Sequence, residues 1–458
     1  MQDIPSWQSG ERDVYPVLRG AHRADVVIVG GGLTGLTLAA MLVGHGIETA
    51  VIEARRIACG NTFASTGKVT AQLENIYPTI AGTAGMEAAR TYARLMHEAM
   101  HGVASLCGEM GVPHAWQGIG VYSCGEADDA ALDAIFQAEK TIGLPVGRTG
   151  DVGDCPIPVR RAIRLEQQLM MPPVDYALAL ARLAAQRGCR IWEQSPVRRM
   201  EGRRLYTPLG HVEAMHVVLA TGYPIGVTHL PLMGMLEQQV GVTRVLRFGA
   251  PFHMSHLAAA QHGLNFRPLP DGGMLLSCEL QRVGHRKLPD AWKRLNDAQQ
   301  SLLPDWTQTD EIIRQDVWSG DGLPLIGPVS AKEGHTLVAT GYSGWGVANS
   351  FLAARVLAGH LLGQPMPEAP LFLPFRRYPG RTLVTAKGGG KAAGALAAGI
   401  VRFGAPVCTH MGCRLRYDLE SRQWMCPCHG STFSVLGEPT HGPAMQDANV
   451  SHRQRPDA

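Results

Sequence analysis

The segment from Ala24 to Arg55, ADVVIVGGGLTGLTLAAMLVGHGIETAVIEAR, constrains the fold of this chain more than any other. Residues 26–29 have the pattern of a buried strand, glycines follow, and an apolar helical stretch runs to about His45. A second strand, residues 49–52, ends at Glu53, about 20 positions beyond the glycines. This order predicts the βαβ unit of a dinucleotide-binding domain.

Each glycine of the fingerprint has a physical role. Gly30 makes the tight turn, Gly32 lets the backbone approach a pyrophosphate, and Gly35 allows the helix to pack closely on the strand. The helix N-terminus then faces the phosphates. Glu53 is expected to accept hydrogen bonds from ribose hydroxyls, which argues against NADP. The fingerprint alone leaves FAD and NAD open.

Two later segments combine a strand with a glycine-rich turn. VVLATGYP covers residues 217–224, and HTLVATGYSGWGVANSFLAARVLAGHLLG covers residues 335–363 and continues as a long helix. Ser343 to Gly346 would place backbone amides at the start of that helix. For these late glycines, ordinary turn chemistry is the alternative explanation.

With these motifs the chain resembles the D-amino-acid-oxidase-like family of FAD-dependent oxidoreductases over about residues 24–365. The other matching motifs are STGKVTAQ (65–72) and WSGDGLPLIG (318–327). The resemblance implies an α/β Rossmann-like FAD-binding domain with an inserted α+β substrate domain. It also implies a set of FAD-binding residues: Gly30, Gly32, Thr34, Gly35, Glu53, Ala54, Arg55, Thr66, Gly67, Lys68, Thr221, Gly222, Asp321, Gly322, Gly341, Gly344, Trp345 and Gly346.

The resemblance also divides the chain. The FAD-binding domain is expected at 1–75, 160–225 and 312–372, and a cap that holds a small-molecule substrate at 76–159 and 226–311. Helical spacing predicts a core helix over 85–110 and another over 176–187, followed by a strand at 189–192. No residue is selected as catalytic. The polar side chains of the cap are Arg244, Arg247, His253, His256, His262, Glu279, Arg282 and His285.

Near the C-terminal end, cysteine and histidine occur in two short motifs. Cys408-Thr409-His410 is followed, after fifteen residues, by Cys426-Pro427-Cys428-His429. A [2Fe–2S] cluster with two cysteines on one iron and two histidines on the other needs this mixed set of ligands. Structural zinc, which also binds Cys and His, is the competing interpretation. Zinc would leave Cys413 and Cys428 without a role.

The two motifs match the Rieske ferredoxin pattern, with a small all-β domain expected at 380–458. The resemblance implies that Cys408 and Cys426 bind one iron, that His410 and His429 bind the other, and that Cys413 and Cys428 form a disulfide. Gly442 to Ala444 resembles the proline loop that covers the cluster.

Two residues of this pattern bear on the redox potential. Ser431 is in place to donate a hydrogen bond to a cluster sulfur, which raises the potential. Phe433 stands where the high-potential respiratory branch has a tyrosine, and phenylalanine cannot donate. These residues predict a potential below that branch. KGGGKAAGALAAG (387–399) is interpreted as a linker or strand connection, because too little chain separates it from Cys408 to complete a nucleotide domain.

Bulk properties exclude several classes of protein. The 42 basic and 39 acidic residues are nearly balanced and form no blocks, so nothing indicates nucleic-acid binding. The chain has no run of eighteen apolar residues, so the sequence predicts no membrane span. The N-terminus lacks the apolar core of a secretory signal, and the six remaining cysteines are scattered. We therefore expect a cytoplasmic protein.

The two cofactors together predict an electron relay, since flavin exchanges two electrons and a Rieske cluster exchanges one. The leading hypothesis is a dehydrogenase that oxidises a C–H bond in an amine, an amino acid or a related small molecule by hydride transfer to FAD. Electrons would then leave singly through the cluster to an external carrier. The alternatives are a reductase with the opposite electron flow and a non-catalytic redox sensor.

Overall fold

The computed structural model describes residues 12–150, 155, 157–226, 230–249, 253–259, 263–283, 288–377, 406–419 and 421–450. The predicted linker (387–399) and the cap residues His262 and His285 lie outside the described residues. The strands, in chain order, are β1 (Gly20–Val29), β2 (Thr49–Ile52), β3 (Lys68–Val69), β4 (Ala115–Ser123), β5 (Gly147–Thr149), β6 (Arg161–Met170), β7 (Arg190–Trp192), β8 (Arg199–Glu201), β9 (Arg204–Tyr206), β10 (Gly210–Leu219), β11 (Leu236–Arg247), β12 (Ser255–Ala258), β13 (Leu264–Pro268), β14 (Met274–Arg282), β15 (Thr307–Ser319), β16 (Leu325–Ser330), β17 (Glu333–Thr340), β18 (Arg416–Asp418), β19 (Gln423–Met425), β20 (Thr432–Phe433) and β21 (Pro439–His441).

Within the described residues, eight helices connect these strands. They are α1 (Leu33–Gly44), α2 (Ile76–Thr83), α3 (Met86–Met110), α4 (Glu126–Thr141), α5 (Pro173–Gln186), α6 (Leu230–Met233), α7 (Leu288–Leu302) and α8 (Gly346–Leu361), with a 3-10 turn at Ala369–Phe372. Among the described helices, none combines the length and the apolar character needed to cross a membrane.

The first sheet is the predicted nucleotide-binding sheet. Its strands lie in the order β16-β17-β10-β1-β2-β7, parallel except for β16, and β9 and β8 extend it beside β10. The last four residues of β1, Val26–Val29, are buried on both faces because their side chains alternate between two cores. Val26 and Ile28 pack in the core of the helices, while Val27 and Val29 pack in the core on the opposite face.

The helices of the first core confirm the predicted βαβ start. α1 lies between β1 and β2 and packs against α5 and α8. The predicted core helix at 85–110 is α3, and it packs against α8. A Cβ on Gly102 of α3 would lie 2.1 Å from the Phe351 ring of α8, so this crossing depends on a glycine. The predicted strand at 189–192 is β7, which pairs with β2.

The second sheet contains most of the strands of the predicted cap, and we refer to it as the cap. Its strands lie in the order β15-β11-β14-β13-β12-β4-β6-β3, with β5 beside β6, and only the β12–β4 pair is parallel. β6 and much of β15 fall within 160–225 and 312–372, the ranges that the sequence assigned to the FAD-binding domain. Local patterns identify a strand but not its sheet partner, which explains this difference. The domain division itself stays a prediction.

The third sheet lies in the C-terminal unit, which we define as residues 406–450. Its four short strands, β18 to β21, are antiparallel in chain order. Its small core includes Trp424, Phe433 and the four clustered cysteines. Met425 packs instead in the core of the cap. The C-terminal unit is therefore joined to the cap by apolar contacts.

Candidate functional site

A cavity of about 620 Å³ opens at the carboxyl ends of the parallel strands of the first sheet. We call it the main cavity. Nucleotides bind at this edge of α/β sheets because glycine-rich turns and helix N-termini meet there. Most of the predicted cofactor residues line it: Gly30, Gly32, Thr34, Glu53, Ala54, Arg55, Thr66, Lys68, Thr221, Gly222, Gly341, Gly344, Trp345 and Gly346.

Two of the fingerprint glycines, Gly30 and Gly35, occupy positions that only glycine fits. Gly30 has φ +115°, and a Cβ there would lie 2.4 Å from the carbonyl oxygen of Ala220. A Cβ on Gly35 would lie 2.1 Å from the carbonyl oxygen of Gly30, so Gly35 serves packing and does not line the cavity. The missing side chains leave a bare backbone turn of the shape that a pyrophosphate requires.

Glu53 is held in place at the end of β2. It accepts hydrogen bonds from the backbone amides of Gly31 (2.7 Å) and Arg55 (2.8 Å). Each carboxylate oxygen has more than one acceptor site, so the group can also accept from ribose hydroxyls. On the opposite wall, Thr34 lies 3.0 Å from the Tyr342 hydroxyl and links α1 to the late glycine segment. These residues fit a dinucleotide such as FAD.

Three more of the predicted cofactor residues, Asp321, Gly322 and Gly67, are not among the residues that line the main cavity, and their role in FAD binding stays a prediction. Asp321 is fully buried and forms an ion pair with Arg376, at 2.7 Å between Arg376 Nη2 and Asp321 Oδ2. Gly322 faces α2, where a Cβ would lie 3.0 Å from Ile80. Sequence could not reveal this pairing, since Arg376 lies beyond the predicted end of the domain.

The cap side of the main cavity carries charges of both signs. Lys68, Glu74, Arg314 and Asp316 all line it. Arg314 Nε lies 3.3 Å from Asp316 Oδ2. Burial lowers the pKa of Lys68 to about 7, Glu74 opposes this effect, and Arg314 adds to it. Burial raises the pKa of Asp316, and Arg314 opposes that shift. Only Lys68 of these four was predicted as a site residue.

The cap residues considered from the sequence lie elsewhere. None of the described members of that set lines the main cavity. Arg244 instead pairs with Glu311 at 2.8 Å and donates to Gln299 at 2.9 Å. His253 lines a separate, shallow depression with Trp116. Sequence spacing gave no signal that could have separated these residues from Arg314, because all of them lie on strands or loops of one sheet.

The C-terminal unit contributes to the wall of the same cavity. Residues 438–442, Ala444 and Met445 line it together with the fingerprint. Burial and, to a smaller extent, the nearby Arg55 together lower the pKa of His441 to about 4. The Nε2 atom of His441 has no hydrogen-bond partner among the described residues. No sequence motif indicated that β21 would reach the nucleotide-binding edge.

The predicted cluster ligands converge in pairs. Cys408 and Cys426 are buried and hydrogen-bonded to each other; this bond lowers the pKa of Cys408, and the Ser431 hydroxyl contributes in the same direction. The rings of His410 and His429 have centroids 5.2 Å apart. Their Nε2 and Nδ1 atoms, respectively, are buried without a partner among the described residues. Two thiols and two unpartnered imidazoles form the donor set of a Rieske cluster.

Two further features complete the cluster site. The Sγ atoms of Cys413 and Cys428 lie 1.96 Å apart, as in the predicted disulfide. Burial lowers the pKa values of His410 and of His429, the latter to about 4. Neutral imidazoles are the form that binds metal. Because His429 is nearly buried, one side of the cluster site faces protein rather than solvent.

Two glutamines of the cap hold the cluster loop. The Gln238 side chain donates to the carbonyl oxygens of His429 (2.7 Å) and Gly442 (3.0 Å). The Gln315 side chain donates to the carbonyl oxygen of Gly430 at 2.5 Å. Both glutamines are buried, so these bonds are shielded from water and fix the loop on the sheet.

Comparison with known proteins agrees with this architecture. The model of the FAD dependent oxidoreductase family (DAO) matches residues 25–360, and that of the Rieske [2Fe-2S] domain matches residues 382–452. The chain belongs to the FAD-dependent oxidoreductase family and carries a C-terminal Rieske domain. Its cofactors are therefore FAD and a [2Fe–2S] cluster, and the zinc interpretation is set aside.

Similar proteins share one or both parts. The Rieske 2Fe-2S iron-sulfur protein YhfW of Bacillus subtilis (strain 168) is 25% identical over 497 residues, covering 97% of this chain and 95% of the relative. Glycine oxidase from Geobacillus kaustophilus has a TM-score of 0.66 at 20% identity, covering 78% of this chain and 99% of that one. L-amino acid deaminase from Proteus vulgaris has a TM-score of 0.62 at 20% identity, covering 80% and 97%. The similarity to glycine oxidase and to L-amino acid deaminase shows a shared fold.

Proposed function

We propose that the protein oxidises an amine, an amino acid or a related small molecule, with hydride transfer to FAD and single-electron transfer through the Rieske cluster to an external carrier. One observation carries this proposal: residues of the FAD-binding edge and of the C-terminal unit line the same cavity. A cluster held this close to the flavin site is suited to receive its electrons.

Different residues of the chain hold the two cofactors. The fingerprint loop and Glu53 hold FAD, while Cys408, His410, Cys426 and His429 hold the cluster, and a Cys413–Cys428 disulfide ties the cluster loops. FAD, when bound, supplies hydride acceptance, and the cluster supplies one-electron steps. The substrate loses a hydride from carbon and a proton from nitrogen or oxygen, which leaves an imine or a carbonyl.

The charge pattern of the main cavity supports a small polar substrate. Arg314 is suited to a carboxylate, and Glu74 or Asp316 to an ammonium group. Lys68, with its lowered pKa, can hold or release a proton near neutral pH. Glycine oxidase and L-amino acid deaminase, whose folds this chain shares, are named for reactions of amino acids. The scattered cysteines support a cytoplasmic location.

Anaerobic mixing of the holoprotein with a panel of amines, amino acids and hydroxy acids tests this function. A substrate should first bleach the flavin absorbance and then produce the electron paramagnetic resonance signal of the reduced cluster. In a His429→Ala variant the substrate should still bleach the flavin, but the cluster signal should be missing.

Other outcomes favour the alternatives. Rapid cluster reduction by a reduced ferredoxin, followed by flavin reduction without any oxidisable substrate, would support the reductase. If no member of the panel bleaches the flavin, the dehydrogenase proposal fails and the redox sensor gains support.

A further inference from the structure

Tyr223 lies between the two cofactor sites. It follows Thr221 and Gly222, which line the main cavity at the end of β10. Its side chain is 1% exposed, and its hydroxyl is buried without a hydrogen-bond partner among the described residues. Buried hydroxyl groups are nearly always hydrogen-bonded in native proteins. An unpartnered one beside a cofactor site therefore indicates a partner that belongs to the cofactor.

The ring of Tyr223 faces the cluster loops. Its centroid lies 6.2 Å from that of His429, a predicted cluster ligand. The carbonyl oxygen of Tyr223 also lies near Gly442, 3.6 Å from where a Cβ would project. One side of Tyr223 thus faces the loops that hold the cluster, while it also packs in a core of the first sheet.

The C-terminal unit itself lacks one donor. Phe433 is fully buried in its core and has no hydroxyl. Ser431 is the hydroxyl donor toward Cys408, and the Cys426 sulfur accepts from the backbone amides of Cys428 and His429. Tyr223 comes from another part of the chain; its ring centroid lies 6.2 Å from that of His429, and its buried hydroxyl has no partner among the described residues.

We propose that the Tyr223 hydroxyl donates a hydrogen bond to a sulfur of the bound cluster, in place of the tyrosine that Phe433 replaces. The inference rests on the proposed cluster ligands but not on the substrate. A donor stabilises the more negative, reduced cluster and so raises its potential. This contribution opposes the low potential predicted from Phe433 alone, and it makes the cluster a better acceptor of electrons from the flavin side.

Tyr223→Phe in the holoprotein removes the hydroxyl and keeps the ring. Midpoint potentials are measured by mediated titration, followed by electron paramagnetic resonance, without any substrate. We expect a lower potential, with about a tenfold change in the reduction equilibrium, which equals about 59 mV for one electron. The matched control is Tyr417→Phe, whose ring packs on Trp424 within the C-terminal unit at 5.1 Å between centroids. The control should keep the wild-type potential.

A Tyr223→Phe variant with an intact cluster and the wild-type potential would overturn the proposal, as would equal decreases in both variants. If Tyr223→Phe does not assemble the cluster, 3-fluorotyrosine at position 223 replaces it as the test. This analogue keeps the shape and donates more strongly, so the potential should rise, and an unchanged value contradicts the inference. Because the titration needs no substrate, its outcome is independent of the dehydrogenase assay.

Discussion

A substitution in the ion pair of Asp321 with Arg376 tests whether Asp321 stabilises the fold or binds the flavin. Asp321 was expected beside the flavin, but the structure buries it completely against Arg376, whose side chain is 4% exposed. Arg376 Nε and Nη2 donate to the carboxylate at 2.7 to 2.9 Å. Asp321→Asn removes the negative charge and leaves a buried guanidinium without its counter-charge.

The expected cost follows from this geometry. Breaking a buried ion pair by removing one partner costs about 3–5 kcal/mol. Arg376 keeps hydrogen bonds to the carbonyl oxygens of Leu323 (2.9 Å) and Pro324 (3.0 Å), so we expect the lower end, about 3 kcal/mol. Replacing both partners, as in Asp321→Leu with Arg376→Met, should cost less than either single change, because no buried charge is left alone.

Urea unfolding of the holoprotein, followed by tryptophan fluorescence, measures the free energy of unfolding. Flavin absorbance and FAD retention after gel filtration measure cofactor binding in the same samples. Asp321→Asn should lower stability while the folded variant keeps its flavin. The reasoning is refuted if stability stays at the wild-type value and FAD is lost, since Asp321 would then belong to the cofactor site.

Two further predictions concern buried groups. Burial raises the pKa of Glu139 to about 8. Ionisation of this carboxyl therefore lowers the free energy of unfolding as the pH rises from about 4.5 to about 8, and it has no effect below about pH 4.5. Glu139→Gln should therefore raise the melting temperature at pH 8.5 by several degrees and leave it unchanged near pH 4.5; the reverse order would contradict the assignment. Gly430→Ala places a Cβ 2.7 Å from Gln238, so the variant should bind less cluster iron per chain, whereas Gly412→Ala, with a similar φ and open space, should retain it. Equal iron in both variants would show that the Gln238 contact is unimportant.

Local sequence determined much of the fold because many of its elements form through interactions between residues that are close in the chain. The strand at residues 26–29, the helix that follows it and the strand at 49–52 form as predicted, since apolar periodicity and glycine turns act within one supersecondary unit. The cluster motifs likewise bring two thiols and two imidazoles together, because each loop carries one of each. Residue type and spacing were sufficient to predict a dinucleotide site and a cluster site, and the family resemblance implied FAD for the first.

Sheet membership and pairing across the chain required the tertiary structure. β6 joins the cap, Asp321 turns toward Arg376, and Tyr223 reaches the cluster loops, none of which follows from local pattern. The sequence by itself determined that the chain has a dinucleotide site and a cluster site, because the residues of each lie within short motifs. Only the tertiary structure decided how the two sites face each other, because that arrangement depends on contacts between residues some 200 positions apart, such as Gln238 with His429.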